Sequence, residues 1–262
     1  MARRCTRIQI DRTGVDNRTD LKMKKTSPVF GFNENEMADA FQGLLSSPNG
    51  LPGIGAFDRI YREIDCRQGR PDFITLRKKG SSTELNSYEH VGLVGSYLLS
   101  LLKPAAPRTL QYLLKEAEYS TSSVKRSLAF LGKSGFIEQT PKGSYVLGSA
   151  AELLKPEVWA FELKLSDSKR AVFQAQQCKA FAERVIIVVP PSQAKNYNRF
   201  RESMTRWGIG LASFDLHSGI FILLKNPRKT RPFSRGHRMY AISQMLASHG
   251  KEGKAGEVSV TM

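Results

Sequence analysis

The sequence predicts an α/β protein: a mixed sheet flanked by helices, interrupted near its middle by a mostly helical segment. Three observations predict it. VIIVV at 185–189 is a continuous β-branched run, as in a central strand covered on both faces. Strand patterns occur before residue 80 and return after Pro156, whereas the stretch between them opens with helical periodicity. The chain has 262 residues, 40% of them hydrophobic, enough for one large domain or two small ones with a sizeable core.

The elements follow in order. Residues 1–30 are polar and basic and read as a loose arm. FNENEMADAFQGLL at 32–45 predicts a helix with Met37, Phe41 and Leu44 on its apolar face and an Asn33/Glu36 capping pair. Ile60–Cys66 and Pro71–Leu76 read as two adjacent strands around a QGR turn. Within 84–150, helices are predicted at Leu93–Leu102, Leu110–Ala117 and Ser122–Gly132, then two short strands around Pro141-Lys142-Gly143. Helix, turn, helix and small hairpin is the order of a winged helix-turn-helix. VWAFELKL then restores the strand pattern. Lys169–Ala182 and Tyr197–Trp207 read as helices, and Ile209–Phe214 and Gly219–Leu224 as late strands. The tail from about Gly250 is polar and expected to fray. The expected organisation is therefore an arm (1–30), a first α/β part (31–83), the inserted segment (84–150), a second α/β part (151–249) and a tail (250–262).

Charge and cysteine content narrow the function. Lys and Arg number 40 against 24 Asp and Glu, a net charge of +16, which favours polyanionic partners. Nucleic acid is the first expectation, and docking on an acidic partner or membrane the alternative. Cys5, Cys66 and Cys178 are far apart, without CxxC or Cys/His clustering, which argues against structural zinc and for reduced thiols in an intracellular, cytoplasmic protein. Such a protein would be nucleoid-associated in a bacterium or archaeon. No apolar stretch has the length of a membrane span, and no apolar segment follows the basic N-terminus as in a secretory signal.

WAFELKLSD at 159–167 places Glu162 and Lys164 two apart inside an apolar run. In a strand they project side by side, while Phe161, Leu163 and Leu165 face a helix on the other side. Asp72 opens the earlier strand after Pro71. If the two strands pair, two carboxylates and an ammonium converge. With the Leu163 carbonyl they form a hard oxygen site suited to Mg²⁺ or Mn²⁺. Plainer readings coexist: an E-x-K tripeptide on a charged edge strand, and turn chemistry at Asp72.

REIDCRQGRPDFITL and WAFELKLSD together resemble the two motifs of the PD-(D/E)xK nuclease superfamily, with its restriction-endonuclease-like fold. The resemblance covers about 32–80 and 156–225. KRAVFQAQQCKAF is similar to a following helix that carries a Gln, although Cys178 stands where some relatives have an aromatic residue. The resemblance implies that Asp72 and Glu162 bind metal, that Lys164 assists the attacking water, and that Gln174 supports the site or contacts the DNA backbone. An acid of the N-terminal helix joins the metal in some relatives. Glu36 is the first choice, with Glu34 the substitute and N3 capping the competing role for Glu36. Glu63 and Asp65 read mainly as solvated or supporting residues.

SVKRSLAFL, GFIE and GSYVL resemble winged helix-turn-helix DNA-binding domains. Val124, Leu128 and Leu131 would hold the second helix. Ser122, Ser123, Lys125, Arg126 and Lys133 would remain for a partner, with Lys142 at the wing tip. Such segments also serve as protein-interaction modules. KNPRKTRPFSRGHRM at 225–239 carries six Lys/Arg and no acid, so Arg228, Lys229 and Arg231 are candidates for lining a DNA channel. A solvated charge run is the alternative. The leading reading is a Mg²⁺- or Mn²⁺-dependent DNA endonuclease acting on double-stranded or branched DNA, with a homodimer suited to cutting two strands. RNA stays open as substrate. The competitors are a non-cutting DNA-binding regulator on the same fold, and a structural or protein-recruiting factor.

Overall fold

The computed structural model describes residues 31–78, 91–104 and 106–255, with backbone only at 152–154 and 249–255. The expected arm at 1–30 and most of the expected tail lie outside the described residues. From Phe32 onward the chain forms one compact unit. Among the described residues a six-stranded sheet runs β1-β2-β5-β6-β7-β8, and a two-stranded hairpin pairs β3 with β4. The strands are β1 (Arg59–Arg62), β2 (Phe73–Arg77), β3 (Ile137–Gln139), β4 (Tyr145–Leu147), β5 (Glu157–Leu163), β6 (Arg184–Val189), β7 (Ile209–Phe214) and β8 (Phe221–Lys225). The inner trio β5-β6-β7 is parallel, and the outer pairings are antiparallel. Parallel neighbours need long crossovers. These are α5 (Ser168–Cys178) between β5 and β6, and a 3₁₀ stretch Pro191–Phe200 with α6 (Arg201–Trp207) between β6 and β7.

Every residue of β5 is buried, and β6 is buried beyond Arg184, because helices cover both faces. On one face, α1 (Glu34–Leu45) inserts Phe41 among Phe73, Phe161, Phe214 and Phe221, with ring centroids 5.6–6.1 Å apart. Ala171, Ala175 and Cys178 of α5 join Val158, Ala160, Ile74 and Leu76 of the sheet in the same core cluster. Small residues on α5 let it sit close to the strands.

β1 ends at Arg62, earlier than the Ile60–Cys66 pattern suggests. Glu63 and Arg67 have φ of 53° and 69°, a left-handed conformation that ends a strand. Asp65 accepts from Arg67 N at 2.7 Å, and Glu63 pairs with Arg70 at 2.6 Å. Both acids serve the turn.

The middle of the chain builds α2 (Gly92–Leu101), α3 (Leu110–Ala117), α4 (Thr121–Lys133) and the β3–β4 hairpin. Arg108 adds a bridge to Tyr145, with mutual hydrogen bonds of 2.8 and 2.9 Å. Val124, Leu128 and Leu131 are buried. Thr109 caps α3 and Ser120 caps α4.

A long helix, α7 (Arg235–Ala255), has no counterpart in the sequence reading. It occupies residues 250–255 of the expected tail. It packs on α2, so the middle segment shares one apolar core with the α/β body. Leu98 of α2 and Met245 of α7 are fully buried in that core. Leu98→Ala should therefore cost about 2–5 kcal/mol. It should also lower the unfolding midpoint reported by the body's Trp159 and Trp207 fluorescence as much as that seen by circular dichroism. Separate midpoints would mean an independent middle segment.

Candidate functional site

The β2–β5 register pairs Phe73 with Phe161, so one further step places Asp72 opposite Glu162. Residues directly opposite in an antiparallel pair share a face. Pro71 has no N–H for the ladder, and Leu163 N donates instead to Asp72 Oδ2 at 2.6 Å. The carbonyl of a strand residue leaves on the same side as its N–H, so the Leu163 carbonyl points toward Asp72. Glu162 is 2% exposed. Its Oε1 lies 3.7 Å from Lys164 Nζ, and no described residue hydrogen-bonds its Oε2.

The electrostatics follow from this crowding. Burial, then the charge of Asp72, pushes the Glu162 carboxyl up to about 8 against the pull of Lys164. Burial also raises Asp72, opposed by the Leu163 N–H and by Lys164. Two buried acids side by side repel when both ionise.

The acid contributed by α1 is Glu34. Its Oε2 lies 3.4 Å from Lys164 Nζ, and its Oε1 accepts from Leu165 N at 3.4 Å. Glu36, the first choice from sequence, is corrected here. It accepts from Asn33 N at 2.7 Å, while its own N–H donates to Asn33 Oδ1 at 3.0 Å. This capping box satisfies two N-terminal amides and keeps Glu36 at the cap.

Gln174 is half-buried on α5, one turn before Cys178, with no described partner for Oε1. Cys178 is fully buried and its thiol is raised by burial first, then by Glu162; it clusters with Val158 and Ala160, on the face of β5 that also carries Glu162. Tyr197 was not singled out by the sequence. It is 2% exposed, its hydroxyl has no described partner, and its phenol is raised by burial and by the negative charges of Asp167, Glu162 and Glu34. Arg199 donates to Ser168 Oγ at 2.7 Å nearby.

The late basic run sits elsewhere. Lys229 Nζ is 2.9 Å from Glu157 Oε1, and Arg228 Nη2 donates to Arg206 O at 3.2 Å. Arg238 Nε is 2.6 Å from Glu183 Oε1. Glu157 opens β5, five residues before Glu162 and about 17 Å away at the rise of a strand. Arg228 and Lys229, candidates for lining a DNA channel, are exposed at the end of the sheet away from the carboxylates, and Lys229 is paired there with Glu157. Arg231 is exposed in the same loop.

In the middle segment Ser122, Lys125 and Arg126 are exposed on α4, and Lys142 is exposed at the hairpin tip. Ser123 is half-buried. Its N–H donates to Ser120 Oγ at 3.3 Å and its hydroxyl accepts from Ser120 at 2.9 Å, so it serves the cap first.

Among the described residues no group of three or more His, Cys, Asp or Glu side chains is gathered so as to hold an ion unaided. Fit to a hard divalent cation rests on other observations. Mg²⁺ is commonly held by one or two carboxylates, with water and phosphate oxygens completing its shell. Asp72, Glu162 and the Leu163 carbonyl supply that donor type, and Glu162 Oε2 is a buried acceptor without a donor among the described residues. No described helix is long and apolar enough to cross a membrane. Compared with protein-family models, characterised proteins and solved structures, the chain matches none.

Proposed function

We propose that the protein is a divalent-cation-dependent DNA endonuclease whose middle segment helps to hold the duplex. The observation that carries this reading is the meeting of Asp72 and Glu162, ninety residues apart in sequence, with Lys164 3.7 Å from Glu162. An ion pair that served stability alone would satisfy the polar atoms it buries. Here one carboxylate oxygen has no donor among the described residues and the acid is held well above its ordinary value, which burdens the fold.

Asp72, Glu162 and the Leu163 carbonyl would hold Mg²⁺ or Mn²⁺. When bound, the ion supplies Lewis-acid polarisation of the scissile phosphate and a lowered water pKa. The Leu163 N–H fixes the Asp72 carboxylate. Glu34 accepts from Lys164 and from Leu165 N, tying the ammonium to the strand end. Lys164 then orients the attacking water and offsets negative charge on the phosphoryl oxygens. In-line attack by the water forms a new P–O bond as one P–O ester bond breaks; the water gives up a proton and the leaving alkoxide takes one up.

Support for DNA as substrate comes from the net charge of +16 and from the exposed Lys125 and Arg126 on a Ser-capped helix beside a small hairpin. A phosphate at that helix start would meet free backbone amides. The competing reading is a DNA-binding protein on the same fold that does not cut.

Plasmid relaxation with Mg²⁺ or Mn²⁺, blocked by a chelator, tests the proposal. Cation-dependent nicking or linearisation is the expected result. Salt-sensitive binding without strand breaks would leave the competing reading. The two α1 acids should behave differently in the same assay. Glu36→Ala should leave the cleavage rate unchanged and cost up to about 1 kcal/mol of stability through the lost cap. Glu34→Ala should slow cleavage while changing the melting temperature little.

A further inference from the structure

The segment from Lys195 to Arg206, KNYNRFRESMTR, carries four cations and one acid. Lys195, Asn198, Arg199, Arg201 and Arg206 are exposed. With Lys225 of β8, three of them surround a cleft of about 450 Å³: Lys195, Asn198 and Arg201 line it, over a floor of Tyr197, Leu211 and Leu224. Among the described residues no carboxylate lines this cleft.

The cleft lies level with the carboxylates along the sheet: Glu162 is in register with Ile187, and Ile187 with Leu211 of the cleft lining. Tyr197 belongs to its floor, and the phenol senses Glu162 and Glu34. Arg199, two residues on, is tied to Ser168 at the start of α5. Lys225 Nζ donates to Thr205 Oγ1 at 2.6 Å, and its ammonium is lowered by burial and then by Arg201. On the adjoining surface Arg199, Arg201 and Arg206 stand with a single acid, Glu202, so the cations there outnumber the carboxylates and favour an external anion.

We propose that Lys195, Arg199, Arg201 and Lys225 hold the sugar–phosphate backbone of a nucleic-acid strand where it runs to and from the Asp72–Glu162 site. Repeated phosphates fit several separate cations, three exposed and Lys225 half-buried, better than an isolated anion does. The tract reads backbone and not sequence. It replaces the 228–231 loop, which lies at the far end of the sheet. The inference rests on the nuclease reading for the destination of the strand; binding along the tract is measurable without cleavage.

The experiment uses the full chain in chelator, with a labelled DNA duplex and a labelled single strand, measuring affinity against salt. The double variant Lys195→Ala/Arg201→Ala is compared with the wild type and with Lys125→Ala/Arg126→Ala. Each lost phosphate contact lowers the slope of log K against log salt by about 0.9 on duplex and about 0.7 on single strand. The tract variant should lose about two such contacts, with affinity falling alike for unrelated sequences. An unchanged melting temperature and circular dichroism spectrum show that the fold is kept. An unchanged slope overturns the tract while leaving the nuclease reading to the plasmid assay. Equal loss of binding to DNA and to polyglutamate overturns the backbone assignment in favour of a general anion surface. A wild-type chain with no salt-dependent binding overturns both the tract and the DNA substrate.

Discussion

Glu162→Gln should abolish cation-dependent cleavage and, in the absence of cation, make the protein more stable near pH 8. Both effects come from one buried carboxyl. Its ordinary value is 4.5, and in the fold it is pushed up to about 8. A carboxyl raised on folding favours the native state while protonated. That contribution is complete below about 4.5, shrinks as pH rises, and is gone above about 8. The wild type without cation should therefore lose stability across that window, by an amount on the order of a few kcal/mol. Glutamine is neutral throughout, so the variant should lack this slope. Asp72, raised in the same sense, leaves a weaker slope of the same sign. A divalent ion reverses the picture. Below about pH 8 it must displace the Glu162 proton, so its affinity and the stabilisation it confers should climb with pH and level off above. Thermal melts at several pH values, with chelator and with Mn²⁺, check all of this. A variant stabilised by Mn²⁺ as much as the wild type would contradict the assigned ligand.

The second large effect belongs to Lys164. Lys164→Ala should reduce single-turnover cleavage by about 10²–10⁴-fold, the range associated with a positioned proton-handling or charge-stabilising group. DNA affinity measured in chelator should change little, because Lys164 is 9% exposed and sits among carboxylates. Metal-free stability should fall, since Glu162 and Glu34 lose their common cation. Lys164→Arg keeps the charge but changes its shape and donors, so it should restore stability without restoring the rate. Cleavage unaffected by either change would remove Lys164 from the mechanism.

How far the site was legible in sequence depended on periodicity. The i, i+2 relation of Glu162 and Lys164, and the apolar alternation of Phe161 and Leu163, are properties of a single strand and can be read from nine residues. The meeting of Asp72 with Glu162 needed the guess that two strands ninety residues apart are neighbours, which only the sheet order supplies. The choice between Glu34 and Glu36 was not decidable by pattern. Both lie in the first turn of α1, and the capping box takes one of them. Tyr197 gave no signal, because a 3₁₀ stretch has no strong periodicity and its role depends on packing beside α5. α7 was hidden by its flanking charge. Its signals were Ser234, whose hydroxyl accepts from His237 N at 3.1 Å, and the Ile242-Met245-Leu246 spacing. The six-cation run, which reaches into its first turn through Arg235 and Arg238, drew attention to electrostatics. That run was read as a binding surface, and Lys229 and Arg238 are instead paired with the buried acids Glu157 and Glu183. A charge count cannot distinguish cations that face solvent from those that neutralise a core acid.

The central claim is that Asp72 and Glu162 share one divalent cation. The most direct measurement is anomalous diffraction from crystals soaked in Mn²⁺ above about pH 8, where the Glu162 carboxyl is ionised. The account predicts a peak within about 2.2 Å of an oxygen from each carboxylate and from the Leu163 carbonyl. Bound manganese elsewhere, with these oxygens uncoordinated, would contradict it.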